Sequence, residues 1–276
     1  MTAALKEGGY LSDAEIATSV FVADSIGKPL LIEGPAGVGK TELAKCLAEA
    51  LPARLIRLQC YEGLDESKAL YEWNYRKQLL RIQADENKDW SKTEEDIFSE
   101  DYLLGRPLLD AIRSSDPVLL LIDEVDRLDL EAEALMLEVL SDWQVSIPEF
   151  GVIRAQHRPW VVLTSNATRE LSEALKRRCV FLALEYPTME REKEILMTKV
   201  PDLPEALAER VAEVVRAVRN LELKKPPSIA ESIDWARSLL ALGRDSLEDQ
   251  EIAETLGVLL KHSVDIDKAR GALTAK

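Results

Sequence analysis

Cysteine and histidine are scarce in this chain, and that scarcity closes several functional classes. Three of the 276 residues are cysteine (Cys46, Cys60 and Cys179) and two are histidine (His157 and His262). No C-x-x-C pair occurs, so neither a zinc site nor a disulfide framework is readable, and free thiols in a reducing compartment are expected. Long apolar runs are missing too. None approaches the roughly 18 residues that a membrane span needs. The opening Met-Thr-Ala-Ala-Leu-Lys-Glu-Gly-Gly-Tyr lacks the apolar centre of a secretion signal. A cytoplasmic location follows as the expectation. Positive charge is also in deficit: 35 Lys and Arg stand against 50 Asp and Glu, a net charge of −15. This balance argues against broad nucleic-acid or anionic-membrane binding, while a local basic patch stays open. Hydrophobic content of 46% and charged content of 31% suit a soluble, well-cored chain of one large or two smaller domains.

The most informative residues present are Gly34-Pro35-Ala36-Gly37-Val38-Gly39-Lys40-Thr41. They follow the pattern G-x-x-x-x-G-K-[ST], in which glycines let backbone N–H groups turn inward and cradle phosphate oxygens. Lys40 is expected to reach the β- and γ-phosphates of a nucleotide and the Thr41 hydroxyl to sit on Mg²⁺. Glu42 completes the cofactor-binding segment. With ordinary residue usage the pattern arises by chance in on the order of one chain in a hundred of this length, so context decides. The apolar run Pro29–Ile32 before the loop reads as a buried parallel strand. The run Glu42 to Leu51 after it carries Leu43, Ala44, Leu47, Ala48 and Leu51 at helical spacing.

Five strands are expected, at Pro29–Glu33, Leu55–Cys60, Val118–Asp123, Trp160–Ser165 and Val180–Leu184, with helical patterns between them. That alternation predicts an α/β fold with a five-stranded parallel sheet flanked by helices. An entry helix spans about Asp13 to Ile26, with Ser12 and Glu15 as its capping box. Residues 62–104 form a charged insertion with an extra helix around Tyr75–Ala84. Residues 144–158 read as a β-hairpin turning at Glu149-Phe150-Gly151. After Tyr186-Pro187 the pattern becomes all-helical, with segments near 189–199, 204–221, 228–242 and 248–260; Ser228 and Glu231 make a second capping box. The expected domains are 1–187, binding nucleotide, and 188–276, a small helical lid.

Three further groups carry chemistry. Val118–Asp123 is an apolar strand ending in Asp123-Glu124, and parallel sheets bind ligands at that edge. Asp123 would hold Mg²⁺ and Glu124 would polarise an attacking water; alone, the pair also fits a solvated strand end. Asn166 ends the run Val161–Ser165, where an amide could lie between γ-phosphate and water or simply form a turn. Arg177 and Arg178 could stabilise charge on a transferring phosphoryl group or close a helix against its dipole.

The order of phosphate loop, Leu-Leu-Leu-Ile-Asp-Glu, Thr-Ser-Asn and Glu-Ala-Leu-Lys-Arg-Arg-Cys, followed by a helical segment, resembles the AAA+ ATPase superfamily. Within it the chain is similar to the MoxR branch, above all to the accessory ATPases of carbon monoxide dehydrogenase maturation. The MoxR-like details are Pro-Leu-Leu-Ile-Glu-Gly-Pro-Ala-Gly-Val-Gly-Lys-Thr, the Thr168–Arg178 run, the insertion after the second strand and the hairpin before Asn166. The resemblance covers about Gly9 to Leu242. It implies that Asn166 is the first sensor. It also implies that Arg177 and Arg178 lie in the arginine-finger region acting on a neighbour's ATP, and that Gly9-Tyr10-Leu11 packs on adenine. A homo-oligomeric ring, a hexamer, follows from it, as do a von Willebrand factor A domain partner and a protein client. One departure stands out: Ser228-Ile229-Ala230-Glu231 occupies the place of a Ser-Pro-Arg second sensor, and Arg237 lies about two turns further on.

The reading that results is an ATP-hydrolysing, chaperone-like remodeller of a partner protein, and the resemblance extends it to metalloenzyme maturation. Three others stand beside it: a small-molecule kinase, a DNA-dependent switch, and a non-catalytic ATP-binding scaffold. The acidity of the chain counts against DNA.

Overall fold

Short aliphatic runs separated by helices become strands in chain order. The computed structural model describes residues 2–84, 94, 96–244 and 246–274. Its strands are β1 (Leu30–Glu33), β2 (Arg54–Gln59), β3 (Tyr71–Trp73), β4 (Leu103–Gly105), β5 (Val118–Asp123), β6 (Gln144–Ile147), β7 (Gly151–Arg154), β8 (Trp160–Ser165) and β9 (Val180–Ala183). Five of them form one parallel sheet in the order β2-β5-β8-β1-β9. The fold class is therefore the expected α/β one, with a helical C-terminal region. Every residue of β5 is buried, as a strand covered on both faces requires. The register pairs Gln59 with Asp123 and Ile122 with Leu163, so the polar ends of β2, β5 and β8 share the C-terminal edge of the sheet.

Two smaller antiparallel pairs accompany the sheet, β3 with β4 and β6 with β7. The second is the expected hairpin. The first was not expected: three residues per strand are too few to show alternation, and aromatic packing holds the pair, with Trp73 edge-on to Phe98 at 5.3 Å between centroids. The helix Tyr75–Ala84 forms where expected; residues 85–93 and 95 of the insertion lie outside the described residues. The entry helix spans Ala14–Ile26, but its cap is Asp13, whose carboxylate accepts from the Ile16 amide at 2.9 Å. Ser12 does not cap it, because a charged acceptor one residue nearer already fills the position. Helices Thr2–Glu7 and Ser263–Thr274 are further additions to the sequence reading.

By internal packing the chain forms two compact units. One comprises Met1–Glu33 and Lys40–Ala183, and the other Gly34–Gly39 and Leu184–Lys276. The first has its core in the sheet and its helices, with Leu31, Leu109, Leu120, Ile122, Met136 and Leu163 at or near zero exposure. The second packs helices Met189–Lys199, Glu205–Arg219, Ile229–Ala241 and Asp249–Leu259 around Leu207, Val211, Val215, Trp235, Leu239 and Leu256. Trp235, fully buried, donates its indole N–H to Thr255 Oγ1 at 2.8 Å, as a buried indole must.

The second unit also buries an ion pair. Arg219 forks onto both oxygens of Glu192 at 2.5 and 2.9 Å, donates Nε to the Pro227 carbonyl at 2.8 Å, and lies over the Tyr186 ring at 4.4 Å. Their side chains are 9% and 1% exposed. Removing one partner of such a pair strands the other charge. Glu192→Ala is therefore expected to destabilise the second unit by about 3–5 kcal/mol, read as a lowered urea midpoint; an unchanged midpoint would show the pair to be dispensable.

Candidate active site

Gly37 and Gly39 hold the phosphate-loop backbone at φ 76° and 99°, a region that costs glycine nothing and other residues strain. A Cβ at Gly37 would also lie 2.3 Å from that of Ser228. Pro35 and Ala36 are exposed and Val38 is buried. The Ile229 amide donates to the Gly37 carbonyl at 3.2 Å. Ser228 and Glu231 close the capping box read from sequence: Ser228 N donates to Glu231 Oε2 at 2.7 Å and Glu231 N to Ser228 Oγ at 3.2 Å. Arg237 points elsewhere, with Nη2 donating to the Lys199 carbonyl at 3.3 Å.

Directly after the loop, Lys40 opens helix Lys40–Ala50. Its ammonium, 6% exposed as a residue, donates to Asn166 Oδ1 at 2.8 Å. Burial pushes the Lys40 pKa down, and the surrounding carboxylates of Asp126, Asp123, Glu124 and Glu33 hold against that fall. Thr41 Oγ1 donates to Asp123 at 3.0 Å, and Glu42 lies half-buried beside it. Thus Lys40, Thr41, Asp123 and Asn166 come together from β5, β8 and one helix N-terminus. Arg177 and Arg178 do not join them. Arg177 is 82% exposed, and Arg178 donates to Ser141 Oγ at 2.5 Å and to the Ala174 carbonyl at 3.0 Å.

The surroundings of the two carboxylates were not read from sequence. Asp123, 2% exposed, accepts from Thr41, Thr164 and Arg57. Glu124 sits in the left-handed region at φ 58°, ψ 48°, unusual for a side chain of its size and a mark of local strain. Its amide donates to Thr164 Oγ1 at 3.0 Å, and its carboxylate accepts from Gln59 Nε2 at 3.0 Å and Arg127 Nε at 2.9 Å. Arg57 and Gln59 stand two apart on β2 and so share one strand face, but only the pairing of β2 with β5 puts that face against the two acids. Asp126, 3% exposed, accepts from the Asn166 and Thr168 amides at 3.1 and 3.0 Å and from the Thr168 hydroxyl. Burial acts to raise its pKa, but those hydrogen bonds outweigh it and hold the carboxyl below the usual range.

The donor set fits a nucleotide and its cation. Asp123 and Thr41 offer hard oxygens side by side. That suits Mg²⁺, which binds through one or two carboxylates and takes its remaining ligands from water and substrate phosphates. Lys40 and the glycine loop suit the phosphates.

A parallel sheet with a glycine loop after β1 and acids ending β5 defines a phosphate-loop nucleotide-binding protein. Residues 30–185 match the model of the ATPase family associated with various cellular activities (AAA), and the chain belongs to that family. It is 24% identical over 243 residues to an uncharacterised protein of Staphylococcus haemolyticus, covering 84% of this chain and 82% of that one. It is 27% identical over 209 residues to the uncharacterised YojN of Bacillus subtilis, covering 73% and 62%. Among solved structures it shares its fold with a RuvB variant of Thermotoga maritima, at TM-score 0.53 and 20% identity over 89% of this chain and 67% of that one. Nucleotide binding comes with the family, whose members often oligomerise. Among the described residues no helix is long and apolar enough to cross a membrane.

Two tests follow from these environments. Burial, with Asp123, Asp126 and Glu124 nearby, pushes the Cys60 thiol up to about 12, and burial does the same to Cys179. Neither should react with a thiol reagent at pH 8 until the protein is denatured, since the thiolate is the reactive form; fast labelling at Cys60 or Cys179 of the native protein, located by peptide mass spectrometry, would contradict this. Asp126, with its lowered folded pKa, stabilises the fold above the ordinary carboxylate pKa of about 3.9, and that stability is lost as pH falls through the folded value. Asp126→Asn should therefore be less stable at pH 7, by about 1–3 kcal/mol, and lose less on acidification to pH 3, both read from urea midpoints.

Proposed function

We propose that the protein hydrolyses ATP to ADP and phosphate, with residues 1–187 as the nucleotide-binding domain and 188–276 as a helical lid. The observation that carries this reading is the convergence of Lys40, Thr41, Asp123 and Asn166, with Glu124 held beside them by Gln59 and Arg127. Lys40 engages the β- and γ-phosphates, and Thr41 with Asp123 holds the cation. Mg²⁺, when bound, neutralises phosphate charge. Glu124 takes the proton of the attacking water as general base. Asn166, anchored through its own amide on Asp126, orients its side chain toward Lys40 and the reacting region.

Arg177 and Arg178 bond to none of these groups in their own chain, which supports assigning them to a neighbour's site in a homo-oligomeric ring, read as a hexamer. An arginine arriving from outside adds charge stabilisation only in the assembled state. The MoxR-like motifs extend the reading to a chaperone-like remodeller acting with a von Willebrand factor A domain partner on a protein client, in the cytoplasm and in a maturation role. The second-sensor position lacks an arginine. The contact of Ile229 with Gly37 is the feature that supports a direct link between the lid helix and the phosphate loop.

Steady-state ATPase assays test the reading. The rate per subunit should rise with protein concentration. Glu124→Gln should lower kcat by about 100-fold or more while still binding nucleotide, and Arg178→Ala should do so by about 1,000-fold. Mixing the two variants should restore some of the activity, because some interfaces regain a complete site. A concentration-independent rate that neither substitution alters would sink the interface mechanism, and salt-sensitive stimulation by DNA would favour the switch reading instead.

A further inference from the structure

Arg57 is a charged residue on the edge strand of the sheet that the reading above does not use. From β2 it reaches Asp123, with Nε 3.0 Å and Nη2 2.5 Å from the same carboxylate oxygen, Oδ2. Nη2 also donates to Gln59 Oε1, and Gln59 Nε2 donates to Glu124 Oε2 at 3.0 Å. Two residues of one strand face therefore tie together both acids at the end of β5.

The two ends of the ion pair differ in environment. Asp123's side chain is 3% exposed and Arg57's is 48% exposed. A buried carboxylate is costly without a counter-charge. A half-exposed guanidinium can return to water at little cost, because its solvation is already half in place. The Thr41 hydroxyl lies 3.0 Å from the other oxygen, Oδ1, and 3.3 Å from Oδ2, while Thr164, whose own hydroxyl oxygen accepts the Glu124 amide, donates to Oδ1. A cation approaching Asp123 thus meets Oδ2 with two donors of Arg57 already on it.

We propose that Arg57 is a positioning residue that serves as the displaceable resting counter-ion of Asp123 and so sets the divalent-cation concentration at which the nucleotide site fills. This rests on the nucleotide-hydrolysis reading and deepens it. Before the cation arrives, the guanidinium keeps the buried carboxylate aligned and neutralised. When the cation binds, Arg57 yields Oδ2 and turns toward solvent, and its bond to Gln59 carries the exchange to the residue holding Glu124.

The experiment is a binding titration and does not read turnover. A fluorescent ATP analogue is titrated with Mg²⁺, and Mn²⁺ binding in its presence is followed by electron paramagnetic resonance, for the parent, Arg57→Gln and Arg57→Lys. Glutamine keeps a hydrogen-bond donor for Asp123, so the fold is retained, and thermal unfolding checks that. Loss of one adjacent positive charge should lower the half-saturating Mg²⁺ and the Mn²⁺ dissociation constant of Arg57→Gln by about five- to tenfold, and Arg57→Lys should stay within about twofold of the parent. If the parent shows cation-dependent nucleotide binding but Arg57→Gln leaves the midpoint unmoved or raises it, the counter-ion role is wrong and the nucleotide reading stands. If the parent shows no cation-dependent nucleotide binding, the nucleotide reading fails and this inference with it.

Discussion

A carboxylate buried at the end of an apolar strand cannot be left alone, and much of the first unit answers that demand. Asp123 closes β5, whose six residues are all buried. The charge is accommodated by one residue from each flanking element: Thr41 from the helix after the phosphate loop, Thr164 from β8 and Arg57, with two donors, from β2. Each supplies a hydrogen bond that a low-dielectric setting strengthens. The need to satisfy Asp123 thus ties β2, β5 and β8 together at their C-terminal ends, as apolar packing does in their middles.

Asp126 acts in the same way just beyond the strand. It gathers the amides of Asn166 and Thr168 and so sets where the backbone leaves β8. The position of the Asn166 side chain against Lys40 is a consequence of that anchoring. Glu124 is held in a strained backbone conformation between two such anchored acids. Strain of this kind persists where the surroundings over-determine a residue, and here hydrogen bonds on both sides do so.

The parallel strands were legible in the sequence because β1, β5 and β8 are nearly continuous apolar runs, and Val118–Asp123 and Trp160–Ser165 came out with the expected bounds. The glycine loop and the Asp-Glu pair carry their chemistry in residue type and spacing, so they were legible too. What escaped was relational. Arg57, Gln59 and Thr164 acquire meaning only through strand order, and no local pattern states that β2 lies beside β5. Asp13 displaced Ser12 as a cap because two eligible acceptors stood side by side. Strands β3 and β4 are shorter than one cycle of recognisable alternation, and their partners lie about thirty residues apart.

The six residues Gly34–Gly39 pack with the C-terminal helices while both their neighbours along the chain, Glu33 of β1 and Lys40 of the following helix, belong to the first unit. The polypeptide therefore passes from one unit to the other three times, after Glu33, after Gly39 and after Ala183. The two units are threaded through each other in sequence and do not follow in tandem. A single cut near residue 184 would leave the helical fragment without the loop whose Gly37 carbonyl receives its Ile229 amide, and would leave the sheet with six residues bereft of their packing. Neither unit is a contiguous cassette of sequence, because the phosphate loop is joined by the chain to one and by packing to the other.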